Sequence, residues 1–421
     1  MKPAPSTGRH PFHALLSSPW ASALVLITAI GARCLMQVYF FDYTGDRSYQ
    51  LVAAHNFMEG HGLSIGQVFA SDLQQTVFKP LIGWPPGYSV FLSVFLFITN
   101  NNFYLASLLL DLVCAALFVI YARKILQLCN LPAWMLNLYT LLTGFFIFDF
   151  AYASTTDFNT LAFFVIAIFY TLAFIQNNRT PSFGIIIGLL LFLTPRFRYM
   201  YVALVIGIPA YLIVYGNGTN NRRVVRGGMY CGATLAVLLS ALFIFQHYST
   251  GASTYIIPSQ KGFYPENIFR TYPVLLTPFV DFMFFCVSIS KYFHADFVRL
   301  VDLIRLLHLA PFVLVFGWSL IYLWRKRFAA RTASMHYLVL GLVCSLLNVL
   351  LLLYLSVRNA PILSITYPVW TFLEEARYYA FPVLFIQQMA FLIFFRSFGL
   401  LAGWKRRVAW VMAILLAIQL L

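Results

Sequence analysis

FYLASLLLDLVCAALFVIYA occupies residues 103–122 and is followed at once by Arg123-Lys124. A bilayer core about 30 Å thick takes about 20 apolar residues in a helix rising about 1.5 Å per residue. This run meets that length with a single acid, Asp111, and it ends in the basic pair that marks the cytoplasmic end of a span. Comparable runs recur from Pro19 to the last residue, separated by short polar breaks. With 61% apolar residues, 10% charged residues and a mean hydropathy of +0.80, the chain has far more apolar surface than a soluble fold can bury.

The reading is therefore an all-α integral membrane protein, a polytopic helical bundle. Spans are expected at 19–41, 103–122, 132–152, 158–175, 183–195, 199–215, 228–247, 304–324, 335–355, 378–395 and 408–421, about eleven crossings. The apolar pieces 86–99 and 272–290 fit as re-entrant or interfacial segments. Composition stays even, with no linker, low-complexity tract or repeat, so residues 1–421 form one domain. Lys2, Arg9, His10 and His13 precede the first run in the manner of a signal peptide. Arg33 interrupts that run, however, and no small-residue cleavage site follows before Asp42, so a first transmembrane helix is expected. The six cysteines contain no CxxC pair, and neither a disulfide framework nor a zinc site is indicated.

Charge placement orients the bundle. Arg123/Lys124, Arg179, Arg222/Arg223/Arg226, Arg325/Lys326/Arg327/Arg331 and Arg396/Lys405/Arg406/Arg407 fall on one side, which the positive-inside rule makes cytoplasmic, with the N-terminus inside. The net charge of +15 reads as anchoring to anionic headgroups of the cell (inner) membrane, and no polar domain is present to bind nucleic acid. Most acids fall on or near the outer face, among them Asp42, Asp46, Glu59, Asp157, Glu266, Asp296, Asp302, Glu374 and Glu375. Chemistry is expected there.

Two outer segments are long enough to carry it, 42–102 and the aromatic-rich 248–303. In the first, Asp46 to Gly60 begins on a good N-cap residue and ends on glycine, the pattern of an amphipathic helix lying in the interface. Trp84-Pro85-Pro86-Gly87 then stops any helix and re-aims the chain. Elsewhere, Arg196 and Arg198 sit at the Pro195 break between two short apolar runs, an interruption of the kind that lines intramembrane ligand cavities. Asp111 lies deep in its run and is paired in this reading with Arg33, and Asp149 with a basic group or a tyrosine. His55 and Glu59 share a helix face at i, i+4, but no spacing is a metal signature, so divalent-metal dependence and any other cofactor stay open.

An ordered set of short features resembles the polyprenyl-phosphate-sugar-dependent glycosyltransferases of the GT-C superfamily, the group that includes protein O-mannosyltransferases and the lipid A aminoarabinose transferase. These are Asp46, Tyr49 and Ala53 after the first helix, then EGHGLS, GWPPGYSVFLSV, ASTTDFNTLAFF, LLLFLTPR and EEARYYAFP, all over residues 19 to 395. Residues 1–421 read as membrane domain throughout, whereas larger members also carry a soluble C-terminal domain. The resemblance implies a polyprenyl-phosphate-linked sugar as donor, a lipid, glycan or protein as acceptor, inversion at the anomeric carbon, and a site facing outward. It puts Asp46 in the role of general base, which must take the acceptor's proton as the new bond forms, with Asp42 as the alternative carboxylate. Asp157 would orient the acceptor or help hold a cation; its other reading is a helix N-cap. Arg377, with Tyr378 beside it, would face the carrier phosphate, assisted by Arg196 or Arg198. Arg377 has a plainer alternative in a salt bridge to Glu374. His55 and Glu375 are supporting candidates on the acceptor side. Two other classes compete: a flippase or transporter for lipid-linked sugars, and a surface-polysaccharide polymerase or ligase.

Overall fold

The computed structural model describes residues 18–39, 45–69, 72–81, 83–145, 156–177, 179–251, 262–274, 277, 282–294, 296–307, 332–361, 371 and 373–392. The described chain is predominantly helical. Six helices are long and apolar enough to cross a membrane: Pro19–Tyr39, Phe103–Leu128, Thr156–Gln176, Tyr199–Gly218, Arg222–Ser249 and Ala333–Arg358. Gly87–Ile98 and Phe183–Phe197 are apolar but shorter. Six expected spans thus correspond to full-length helices, whereas 183–195 is a shorter helix. The expected spans at 408–421 and most of 304–324 lie outside the described residues.

In chain order the elements are α1 (Pro19–Tyr39), α2 (Gly45–Met58), β1 (Ser64–Phe69), β2 (Asp72–Pro80), α3 (Gly87–Ile98), α4 (Phe103–Leu128), α5 (Ala133–Phe145) and α6 (Thr156–Gln176). There follow α7 (Phe183–Phe197), a 3-10 turn at Tyr199–Tyr201, α8 (Val202–Gly218), α9 (Arg222–Thr250), α10 (Phe282–Phe293), α11 (297–307), α12 (Ala333–Arg358), a second 3-10 turn at Ala376–Tyr379, and α13 (Ala380–Ala390). α6 is the central helix, with Phe158, Leu161, Phe164, Val165 and Ile168 all buried among α4, α7 and α13. α1 is peripheral. It turns Trp20, Leu24, Ile27 and Leu35 outward, as a lipid-facing helix does, and buries Arg33 and Gln37 inward.

Small residues set the closest helix crossings, as expected where lipid supplies no hydrophobic drive and backbones must approach. On α7, a Cβ added at Gly184 would stand 2.1 Å from the Gly227 carbonyl oxygen of α9, and one added at Gly188 would stand 2.8 Å from that of Cys231.

The described chain is helical as expected, with one departure in the segment 42–102. After α2, the chain forms an antiparallel hairpin in which Ser64 faces Pro80 and Gly66 faces Phe78, with a register irregularity at Val68/Phe69. The helix expected from Asp46 to Gly60 is present as α2. It turns Tyr49, Val52, Phe57 and Met58 outward and buries Arg47, Gln50, Ala53, Ala54 and Asn56. Its position is fixed from three sides: Asn56 Nδ2 donates to the Ser64 carbonyl (2.8 Å), Ser89 Oγ of α3 donates to the Gln50 carbonyl (3.0 Å), and Tyr49 stacks on Trp84.

Residues 262–274 are laced to the same end of the bundle. Tyr264 N–H donates to the Val357 carbonyl, Asn267 Nδ2 to the Ser356 carbonyl, and Tyr272 N–H to the Leu373 carbonyl. The starts of α4 and α6, the ends of α7 and α12, and the 376–379 turn therefore gather at what is here called the hairpin end.

Candidate functional site

At the hairpin end, α6 begins with Thr156-Asp157, and both residues are buried. Asp157 lies inside the first turn, and its Oδ1 accepts from Arg198 Nε at 2.8 Å, so its partner is another segment, not its own backbone.

Arg198 is delivered by an unusual joint. Pro195 sits within α7 and cannot donate to the Leu191 carbonyl four residues back; the Thr194 hydroxyl takes that acceptor at 2.7 Å, so the helix runs on to Phe197. The break falls at Arg198, extended at φ −152°, ψ 116°, before the 3-10 turn restarts the helix. Gly87 lets α3 seat against this joint, because a Cβ there would lie 2.5 Å from the Arg196 carbonyl oxygen.

A third segment completes the cluster. Tyr378, buried in the second 3-10 turn, has the Arg198 guanidinium 5.8 Å from its ring centroid and that of Arg377 at 5.3 Å. Arg377 Nε lies 3.0 Å from Glu375 Oε2, and both side chains keep about a quarter of their surface open. The salt bridge considered between Arg377 and Glu374 is not the one formed. Glu374 turns inward, where its Oε1 accepts from Arg305 of α11 at 3.0 Å and its Oε2 from Thr371 N–H at 3.0 Å. Burial raises the Glu374 carboxyl above the ordinary glutamate range, and the Arg305 guanidinium is the chief effect opposing it. α11 is thus clamped through Arg305 to the residues that lead into the Arg377 turn.

The same first turn of α6 faces a second network. Asn159 Nδ2 donates to Asp111 Oδ1 at 2.8 Å, and Arg47 of α2 donates to Asp111 Oδ2 at 2.7 Å, all three residues buried. The expected Arg33–Asp111 pair is therefore corrected. Asp111 belongs to Arg47, and Arg33 lies against the Phe158 and Phe118 rings at 4.6 and 5.9 Å. Aromatic faces carry partial negative charge, which makes them fitting neighbours for a buried guanidinium. α2 is thereby tied by Arg47 to Asp111 of α4, which in turn accepts from Asn159 on the helix that carries Asp157. Asp46 occupies the first turn of α2, one residue before Arg47.

Of the sequence candidates, Asp157, Tyr378, Arg377 and Glu375 come together, joined by Arg198. Arg196 does not enter this cluster, for its guanidinium lies 5.3 Å from the Phe192 centroid. His55 pairs with Glu59 at 3.0 Å and meets Phe103 edge-on. Asp42 and Asp149 lie outside the described residues. Among the described residues, no three His, Cys, Asp or Glu side chains converge as metal ligands.

Tyr201 escaped the sequence reading, because a tyrosine in an apolar run resembles any other core aromatic. Its N–H donates to the Arg198 carbonyl, it is buried within the electrostatic reach of Asp157 and Arg198, and its hydroxyl has no hydrogen-bond partner among the described residues. An unmet buried hydroxyl costs about 1–3 kcal/mol. Tyr201→Phe is accordingly expected to leave the melting temperature unchanged or raise it; a fall of several degrees would mean that the hydroxyl is satisfied inside the fold.

No protein-family model, curated protein or solved structure matches this chain.

Proposed function

We propose that the chain is an inverting membrane glycosyltransferase that transfers a sugar from a polyprenyl-phosphate carrier to a lipid, glycan or protein acceptor at the hairpin end, the outward face of a cell membrane. The observation that carries this reading is the convergence of Asp157, Arg198, Tyr378 and Arg377 from three distant segments at the end that also carries Asp46 on α2. In the reaction the acceptor oxygen or nitrogen attacks the anomeric carbon and gives its proton to Asp46, while the bond to the carrier phosphate breaks and the phosphate leaves with the electron pair. A leaving phosphate needs cationic donors, and the planar fork of arginine supplies two at once. Arg377 is the accessible guanidinium, exchanging the partly open Glu375 for the phosphate. Arg198 holds Asp157 in place behind it.

The test is a paired measurement on purified protein in lipid, with a labelled panel of polyprenyl-monophosphate sugars and a membrane extract as acceptor. Loss of label from an intact carrier supports the transferase. A carrier that keeps its sugar but changes leaflet supports a flippase, and use of a diphosphate-linked oligosaccharide supports a polymerase or ligase. Arg377→Ala is expected to weaken carrier binding by roughly 1.5–3 kcal/mol, about tenfold or more in Kd. Unaltered affinity moves the phosphate contact to Arg196 or Arg198.

A further inference from the structure

The end of the bundle opposite the hairpin is built differently. α4, α6, α7 and α9 meet there, and five aromatic rings run in sequence across them. Tyr121 and Phe169 are 5.3 Å apart, Phe169 and Tyr170 5.2 Å, Tyr170 and Phe183 6.1 Å, and Phe183 and Phe174 6.3 Å. Three cations sit on this series. Lys124 Nζ is 4.6 Å from the Tyr121 centroid and 5.6 Å from that of Phe169, the Arg179 guanidinium is 5.8 Å from Phe183, and that of Arg223 is 4.9 Å from Phe174.

Arg223 is committed to the fold, because it donates to the Phe174, Ile175 and Arg179 carbonyls, groups that the end of α6 and the following loop leave open. Lys124 and Arg179 have no such employment. Among the described residues neither they nor the exposed Arg222 and Arg226 pair with a carboxylate, and the sequence holds no Asp or Glu over 112–148 or 158–265. Positive charge gathered without an internal counterion calls for an external anion. Directly along α7 from Phe183, Ile185, Ile186 and Leu189 are all nearly half exposed, an apolar strip that a free anion in water would not use.

We infer that Lys124 and Arg179, seated on the Tyr121–Phe183 aromatic series, bind the phosphate of an anionic phospholipid whose acyl chain lies along Ile185, Ile186 and Leu189. Cations at the membrane surface attract anionic headgroups, and aromatic rings settle at headgroup level, so both halves of the site suit one amphipathic ligand. This site is separate from the Asp157–Arg198 cluster and does not depend on what that cluster does.

The test uses the full chain in detergent, depleted of lipid, and native mass spectrometry with thermal melting as readouts. Phosphatidylglycerol, phosphatidylcholine of the same acyl length and inorganic phosphate are added separately. Wild type is expected to retain phosphatidylglycerol and melt higher with it, and to respond to neither of the others. The double substitution Lys124→Gln with Arg179→Gln is expected to weaken phosphatidylglycerol retention about tenfold. Wild type in about 1 M NaCl, where the screening length falls to about 3 Å, should lose its preference without any substitution, which keeps the test open if the double variant folds poorly. Equal retention of the two lipids, a preference that survives both the double substitution and salt, or the same rise in melting with inorganic phosphate, overturns the proposal.

Discussion

Asp157→Ala, with Arg198 left in place, is expected to abolish sugar transfer and to lower stability by about 3–5 kcal/mol, since it removes the carboxylate paired with a buried guanidinium. The Asp157 side chain is 1% exposed and that of Arg198 9%, so water is poorly placed to replace the lost carboxylate. The double substitution Asp157→Ala with Arg198→Leu removes both charges and should regain most of the lost stability, because apolar replacement of a buried pair is often neutral or better. It should not regain transfer. Melting in detergent and turnover on the same preparations separate the two effects. A single variant that melts like wild type would show that the pair is hydrated, and a double variant that turns over would remove Asp157 and Arg198 from the chemistry.

The parts of the structure legible in the sequence are those governed by local composition. A run such as 103–122 has one physical solution in a bilayer, because every backbone polar group must be satisfied within the segment. Its helix nevertheless continues to Leu128, past the basic pair expected to end it. Arg123 reaches Thr140 Oγ1 at 2.7 Å and Lys124 lies over Tyr121, so both charges are accommodated without stopping the helix. The hairpin was not legible. Ser64–Phe69 contains Gly66 and Gln67, and β2 carries Gln74-Gln75, so neither strand shows a clean alternation; their pairing is supported by the seat of β1 against α2.

Partners across long separations were also hidden. Asp111 is nearer in sequence to Arg123 than to Arg47, and nothing local favours either. The choice is made by where α2 docks, and that depends on contacts such as Ser89 to Gln50. Arg196 and Arg198 looked equivalent around Pro195. They are separated by the Thr194 hydroxyl, which carries the helix through the proline and leaves the break at Arg198, so that only the second arginine meets Asp157. The functional candidates themselves were visible as charges where a membrane helix has little reason to carry them. What joins them was not.

Asp46→Asn is expected to reduce transfer by about 10²–10⁴-fold, the usual contribution of a positioned general base, with carrier affinity and melting close to wild type. The alternative role for Asp46 is structural: it falls in the first turn of α2, where a carboxylate would be favoured by the positive end of the helix dipole by about 0.3–1 kcal/mol. Asparagine keeps the shape and the capping ability, so a structural role predicts a small loss of stability and nearly full turnover. The two roles therefore predict opposite patterns, and one pair of measurements distinguishes them. Neighbouring Arg47 offers the internal contrast, because its loss strands Asp111 in the core and should lower melting before it affects any chemical step. Running Asp42→Asn beside Asp46→Asn completes the argument: if the former abolishes transfer and the latter spares it, the base is Asp42, four residues earlier on the same outer segment.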